Sequence, residues 1–210
     1  MTVRSGGMTS RTLFVTRLYE APIGGPADLN DELEDACRML EAEDRAGAAW
    51  AKEHAYKGYT SYASLGDLPT RVTAFGDLKK RLDKHAAAFA QDLHLDLGGR
   101  KLVLDSLWVN ILKPGGAHSG HIHPHSVLSG TYYVSVAPGA SRIRFEDPRL
   151  AMMMASPPRS ADAPEEARQF VYVEPSPGSL LLWESWLRHE VPANGSKADR
   201  ISISFNYSWR

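Results

Sequence analysis

From residue 102 onward the chain changes to a two-residue rhythm, in short runs of apolar and β-branched residues. The runs are "LVLDSLWVNIL" (102–112), "LSGTYYVSV" (128–136), "SRIRF" (141–145), "QFVYVEP" (169–175), "GSLLLWES" (178–185) and "RISISFNYSW" (200–209). Gly, Pro, Asn and Asp punctuate them. A period of two with turn residues at close spacing predicts short antiparallel strands. No strand alternates with a helical pattern, so nothing supports a parallel sheet. An all-β sandwich or barrel of jelly-roll type is expected.

The first half has a different period. Residues 28–51 place Leu29, Leu33, Ala36, Cys37 and Leu40 three and four apart, with Asp28 or Asn30 available as a cap. Residues 74–95 repeat the pattern through Phe75, Leu78, Leu82, Ala86, Phe89 and Leu93, and "DLGG" then stops it. Two amphipathic helices are predicted. The expected organisation is a helical support region over 1–100 and a β core over 101–210, together one compact domain: mainly β with N-terminal helices. Residues 150–167, rich in Met, Pro, Ala and charge, read as a long mobile loop whose Met152, Met153 and Met154 serve loop packing.

Composition removes several function classes. A net charge of -1 over 210 residues leaves no electrostatic footprint for nucleic acid. The dense basic group "LKKRLDK" (78–84) reads as the solvated face of a helix. No run reaches the length of a membrane span, and the opening "MTVRSGGMTSRTLF" lacks the apolar core of a secretory signal. A soluble, cytoplasmic protein acting on a small-molecule or peptide substrate is expected. The single cysteine, Cys37, rules out an internal disulfide and a thiolate-rich metal site; its helical setting predicts a small buried hydrophobe.

Chemistry concentrates in "AHSGHIHPHSVLSGTYYV" (117–134), which holds His118, His121, His123 and His125. On an extended strand, His121 and His123 share a face, so two neutral imidazoles can converge on one ion. Pro124 stiffens the chain directly after them. A third ligand is then needed, and His189, amid Trp183, Trp186, Leu187 and Val191, is the candidate. His118 and His125 are left for surface positions, or for one of them to contact substrate. His54, His85 and His94 lie on or near the helices and read as solvated or satisfied side chains. The strand at 200–209 then puts Arg200, Ser202, Ser204 and Asn206 on one face and Ile201, Ile203 and Phe205 on the other. Such a strand can face solvent; it can also present a guanidinium and a hydroxyl to the far end of a dicarboxylate.

The ordered set "H-x-H-P-x-S-x-x-S-G-x-Y-Y", "G-S-L-L-L-W … H-x-V-P-x-N" and "R-I-S-I-S-F-N" resembles the iron(II)/2-oxoglutarate-dependent oxygenase superfamily, and more closely its bacterial and phage group of 2OG-Fe(II) oxygenases. The resemblance spans about residues 102–209. It implies a double-stranded β-helix (jelly-roll, cupin-like) and metal at His121, His123 and His189. It places the distal carboxylate of 2-oxoglutarate at Arg200 and Ser202, with Asn110 and Tyr132 or Tyr133 as further contacts. The implied activity is a dioxygenase, using Fe(II) and 2-oxoglutarate as cosubstrate, that hydroxylates a C–H bond. One position departs from the superfamily pattern. His123 stands where Asp or Glu is usual, and Asp147 and Glu190 are the candidates to supply a carboxylate instead. A cupin-like three-histidine enzyme without 2-oxoglutarate and a non-catalytic β-sandwich module are the other readings of the same residues.

Overall fold

The computed structural model describes residues 4–5, 8–24 and 29–210. Asp28, one of the two expected caps, lies outside them. The chain opens with a small antiparallel pair, β1 (Arg4–Ser5) and β2 (Met8–Thr9), followed by β3 (Leu18–Pro22). Helices α1 (Leu29–Glu43) and α2 (Arg45–Glu53), strand β4 (Gly58–Thr60), and helices α3 (Leu68–Arg71) and α4 (Thr73–Asp92) complete the first half. The second half supplies β5 (Leu102–Leu112), β6 (His118–His121), β7 (Leu128–Ser135) and β8 (Ile143–Glu146). It ends with β9 (Phe170–Val173), β10 (Ser179–Glu184), β11 (His189–Val191) and β12 (Arg200–Trp209).

The strands form a six-stranded sheet in the order β3-β10-β7-β12-β5-β4 and a four-stranded sheet in the order β6-β11-β8-β9. Every pairing in both is antiparallel. Two facing antiparallel sheets with helices on an outer face are what the double-stranded β-helix requires. The strands predicted from the period of two are all present. β3, β4, β6 and β11, each of five residues or fewer, had no periodic signal of their own.

Alternation along the large sheet sorts its side chains between two cores. Val109, Ile111, Tyr132, Leu180, Leu182, Ile201, Ile203 and Phe205 pack with Leu33, Phe75, Leu78, Leu82 and Phe89 of the helices. The intervening residues Leu112, Tyr133, Leu181 and Trp183 pack with Ile143, Phe145 and Val191 of the small sheet. Both faces of β12 are therefore covered: on its polar face Arg200 and Ser202 are buried, and Ser204 and Asn206 are half-buried in the space between the sheets. A register irregularity in the β12–β5 ladder pairs Asn206 with Ser106 but Tyr207 with Leu104, so on β5 the helix-side positions shift from Leu107, Val109 and Ile111 to Leu104 and Leu102, while β12 keeps its alternation. Tyr207 packs with the helix-side core and its hydroxyl donates to Asp83 of α4, while Asn206 lines the space between the sheets.

The first predicted helix is two. Asp44 interrupts it, because its carboxylate accepts from the Gly47 amide (3.0 Å) and caps α2. The hydroxyls of Tyr59 and Ser64 also donate to Asp44. A side chain at position 47 would collide with Asp44 and the Thr60 carbonyl, so this turn needs glycine. Asn30, the other expected cap, reaches across to the sheet: its Nδ2 donates to the Val134 carbonyl and its Oδ1 accepts from Tyr132. Residues 150–167 hold two short 3-10 turns (Leu150–Met152 and Glu165–Ala167), with Met152 and Met154 exposed. Cys37 is fully buried, and burial pushes its thiol pKa up.

Burial opposes ionisation of Asp44, but the hydrogen bonds from Ser64, Gly47 and Tyr59 prevail and hold its carboxyl below the usual range. Its contribution to stability is therefore present above the ordinary carboxylate pKa and lost as pH falls through the depressed value. Asp44→Ala should lower stability by about 1–2 kcal/mol at neutral pH. The deficit should shrink in acid, read from urea midpoints at several pH values. Gly130→Ala should cost about 1–3 kcal/mol, because its Cβ would meet the Phe205 ring at 2.5 Å and the Leu181 carbonyl at 2.6 Å.

Candidate metal and anion site

Between the sheets lies a cavity of about 530 Å³. Strand pairing brings its histidines together: His189 of β11 sits directly opposite His121 of β6. His123 joins them differently from the two-residue rhythm. Strand β6 ends at His121, and His123 follows in a turn, where its backbone amide bonds to the Ser185 carbonyl (3.0 Å). The shared strand face expected for the pair is thus replaced by a turn that delivers the same convergence. Ring centroids are 5.0 Å apart for His121–His123, 4.4 Å for His121–His189 and 5.1 Å for His123–His189. One nitrogen from each ring lies within 4.8 Å of the others, and among the described residues this is the group able to hold a metal ion.

The outer nitrogens fix the tautomers. His121 Nδ1 lies 2.6 Å from the Ser119 carbonyl and His189 Nδ1 2.9 Å from the Leu187 carbonyl. His123 Nδ1 lies 2.6 Å from Asn206 Oδ1. A carbonyl oxygen only accepts, so each neutral ring donates through Nδ1 and leaves the Nε2 lone pair free. That free His123 Nε2 is buried without a partner. Burial pulls the pKa of His189 down to about 3, and burial likewise lowers that of His123 despite the Asn206 bond. Three imidazoles with anchored Nδ1 atoms, and at His123 a buried Nε2 without a partner, fit a first-row transition-metal ion.

The same cavity holds Arg200 and Ser202, each 1 % exposed. Arg200 Nη1 donates to Ser202 Oγ at 3.1 Å, its guanidinium lies 5.0 Å from the Tyr133 ring centroid, and its Nε has no partner. Among the described residues no carboxylate lies within ion-pair distance of it. A buried guanidinium without an acidic partner is costly unless an anion arrives to complete it. The Tyr133 hydroxyl is also buried and unpartnered, with its pKa raised by burial.

Asn110 lines the cavity, held by Thr60 Oγ1 (2.9 Å) and donating to Ser204 Oγ (3.0 Å). Tyr132 does not: alternation turns it to the helical face, where its hydroxyl donates to Asn30, and Tyr133 takes the inward position. His118 is not a surface residue. It lines the cavity 2.7 Å from the Tyr56 hydroxyl, and burial, followed by the Arg200 charge, pulls its pKa down to about 3. His125 is exposed at φ 73° and stays outside the cavity lining. Neither candidate carboxylate reaches the histidines: Asp147 is held by Arg149 and Glu190 pairs with Arg144. Of the remaining histidines, His54 stacks on Trp50 and His85 bonds to Tyr19, while His94 lies in the turn after α4.

Tyr56 and Tyr62 escape a sequence reading because they lie in connecting segments without a periodic pattern, and Trp50 because it sits in α2 away from the apolar spacing of the predicted helix. Asn206 was visible as part of a polar strand face, but its role beside His123 was not. Its Oδ1 also accepts from Ser129, and its Nδ2 donates to Ser106, so the acceptor is locked toward the ring.

Residues 106–206 match the model of a family described as "Putative 2OG-Fe(II) oxygenase". No curated protein matches the sequence. Among solved structures, a Pseudomonas putida prolyl-4-hydroxylase is similar over 93 % of this chain and 94 % of its own, at 19 % identity and a TM-score of 0.61. The epimerase SnoN, solved with Fe3+, alpha ketoglutarate and nogalamycin RO, is similar over 92 % of this chain and 79 % of its own, at 16 % identity and a TM-score of 0.64. HygX from Streptomyces hygroscopicus, solved with nickel and 2-oxoglutarate, is similar over 92 % and 83 %, at 15 % identity and a TM-score of 0.60. These likenesses establish the double-stranded β-helix fold. Residues 106–206, which supply the histidines, Arg200 and most of the cavity lining, form a domain that matches the 2OG-Fe(II) oxygenase family.

Proposed function

We propose that the protein is a non-haem iron(II)- and 2-oxoglutarate-dependent dioxygenase that hydroxylates its substrate, with His121, His123 and His189 as the metal ligands. The observation that carries this reading is the sharing of one cavity by three convergent imidazoles and a buried guanidinium that has no acidic partner among the described residues. His121, His123 and His189 would hold the ion, and three protein ligands would leave it able to take a cosubstrate as well. Iron(II) held by these residues would supply dioxygen activation coupled to oxidative decarboxylation of 2-oxoglutarate to succinate and carbon dioxide.

The chain's own residues do the rest. Arg200 and Ser202 grip the distal carboxylate of 2-oxoglutarate, with the Tyr133 hydroxyl beside them as a further donor. Asn206 fixes the His123 ring and keeps its Nε2 lone pair aimed inward. Trp108, Ile143, Trp183 and Val191 line the cavity with apolar surface and limit water around the reacting C–H bond. Small molecules and peptides are the substrate range; the Trichoplax adhaerens relative of this fold was solved with a peptide fragment, at 13 % identity.

The all-imidazole ligand set also suits a cupin-like enzyme that uses no 2-oxoglutarate. Arg200 separates the two readings. Arg200→Ala should weaken 2-oxoglutarate binding by about 100-fold, equivalent to ~3 kcal/mol, while iron stoichiometry stays at wild-type level. Anaerobic calorimetry with the iron-loaded protein reads this, and equal affinity in both proteins would favour the cupin-like reading. Asn206→Ala should lower iron affinity by roughly 10- to 100-fold without removing a ligand. Competition with a metal chelator measures that change.

A further inference from the structure

Charge balance at the site deepens this reading, on which the following rests. The three candidate ligands are all imidazoles, and a ring that gives its lone pair to a metal ion brings no negative charge with it. Among the described residues no acidic side chain lines the cavity, and Arg200 is the one Lys or Arg that does. The carboxylates nearest in sequence are engaged elsewhere, Asp147 with Arg149 and Glu190 with Arg144. A divalent ion and one guanidinium bring three positive charges, and 2-oxoglutarate brings two negative ones. One positive charge stays uncompensated in a largely buried space. With a carboxylate at position 123 the same sum would be zero.

A second observation points the same way. The Trp183 indole N–H is buried without an acceptor, and its ring centroid lies 4.7 Å from that of His189. Arg200 and Tyr133 meet the cosubstrate in this reading, so the Trp183 N–H is the donor left open beside the histidines, and an open donor is completed by an acceptor such as a carboxylate oxygen. Around the entrance the surface is apolar and aromatic. Trp50, Tyr62, Trp108 and Ile122 line it, and Tyr62 and Ile122 are 63 % and 45 % exposed. Tyr62 and Trp108 meet edge to face at 5.3 Å, which leaves ring surface for a guest.

We propose that the substrate presents a carboxylate-class anion to this centre, on an apolar or ring-bearing body that lies against the aromatic wall. His123, standing where a carboxylate would cancel the charge, is the specificity-determining residue.

The test uses the full chain, loaded anaerobically with iron(II) and saturating 2-oxoglutarate, and reads shifts of the visible iron-to-cosubstrate charge-transfer band. The probes are acetate, phenylacetate and phenylacetamide. Phenylacetate should bind at least ten-fold more tightly than either acetate or phenylacetamide. Acetate as tight as phenylacetate would overturn the apolar body, leaving a site for a free small anion. Phenylacetamide as tight as phenylacetate, or no shift with any probe, would overturn the anion itself. In His123→Asp, phenylacetate affinity should fall at least ten-fold; if that variant holds no iron, the wild-type comparison of charged and neutral probes still decides. Absence of the band before any probe is added would count against the dioxygenase reading, whereas a normal band that no probe perturbs defeats the present inference alone.

Discussion

Strand β12 is covered on both faces, and that constraint organises the site. On one side Ile201, Ile203 and Phe205 complete the core shared with the helices. The other side must then place Arg200, Ser202, Ser204 and Asn206 in an enclosed space between two sheets. A guanidinium confined in this way needs an anion, and an amide confined in this way needs defined partners. Asn206 has them in His123, Ser129 and Ser106. Arg200 has only Ser202 as a hydrogen-bond partner among the described residues. What that strand leaves unfinished is a binding site for a negatively charged ligand.

The histidines depend on the same enclosure. Burial keeps the rings of His123 and His189 neutral, and oxygen acceptors hold all three Nδ1 atoms. The nitrogen left over on each ring is the one a cation can use. Each acceptor belongs to a different element: Ser119 within β6, Leu187 in the turn before β11, and Asn206 on β12. The ligand set is therefore a property of the whole sandwich, and no segment of the chain builds it alone.

Much of this was legible in the sequence, because alternation is a direct readout of burial. The period of two located β5, β7, β8, β9, β10 and β12, and it put Arg200 and Ser202 on one face. It could not say whether that face met solvent, since a strand covered twice and a strand covered once share the same pattern. For the same reason Tyr132 and Tyr133 were interchangeable until a neighbouring layer fixed which one points inward. The helix break at Asp44 was missed because hydrophobic spacing runs through it; the capping carboxylate and Gly47 were the available signal. His123 lies beyond its strand, in a turn whose geometry comes from the distant Ser185 carbonyl. Long-range contacts of that kind, like those of Tyr56 and His118, leave no periodic trace.

The most direct check on the central claim is X-ray absorption at the iron edge of the anaerobically loaded protein, with iron content per chain measured on the same sample. One iron per chain coordinated by three imidazoles, falling to two in His189→Ala, is the expected result. Iron that is absent, substoichiometric or bound by fewer than three imidazoles in the wild-type protein would contradict it.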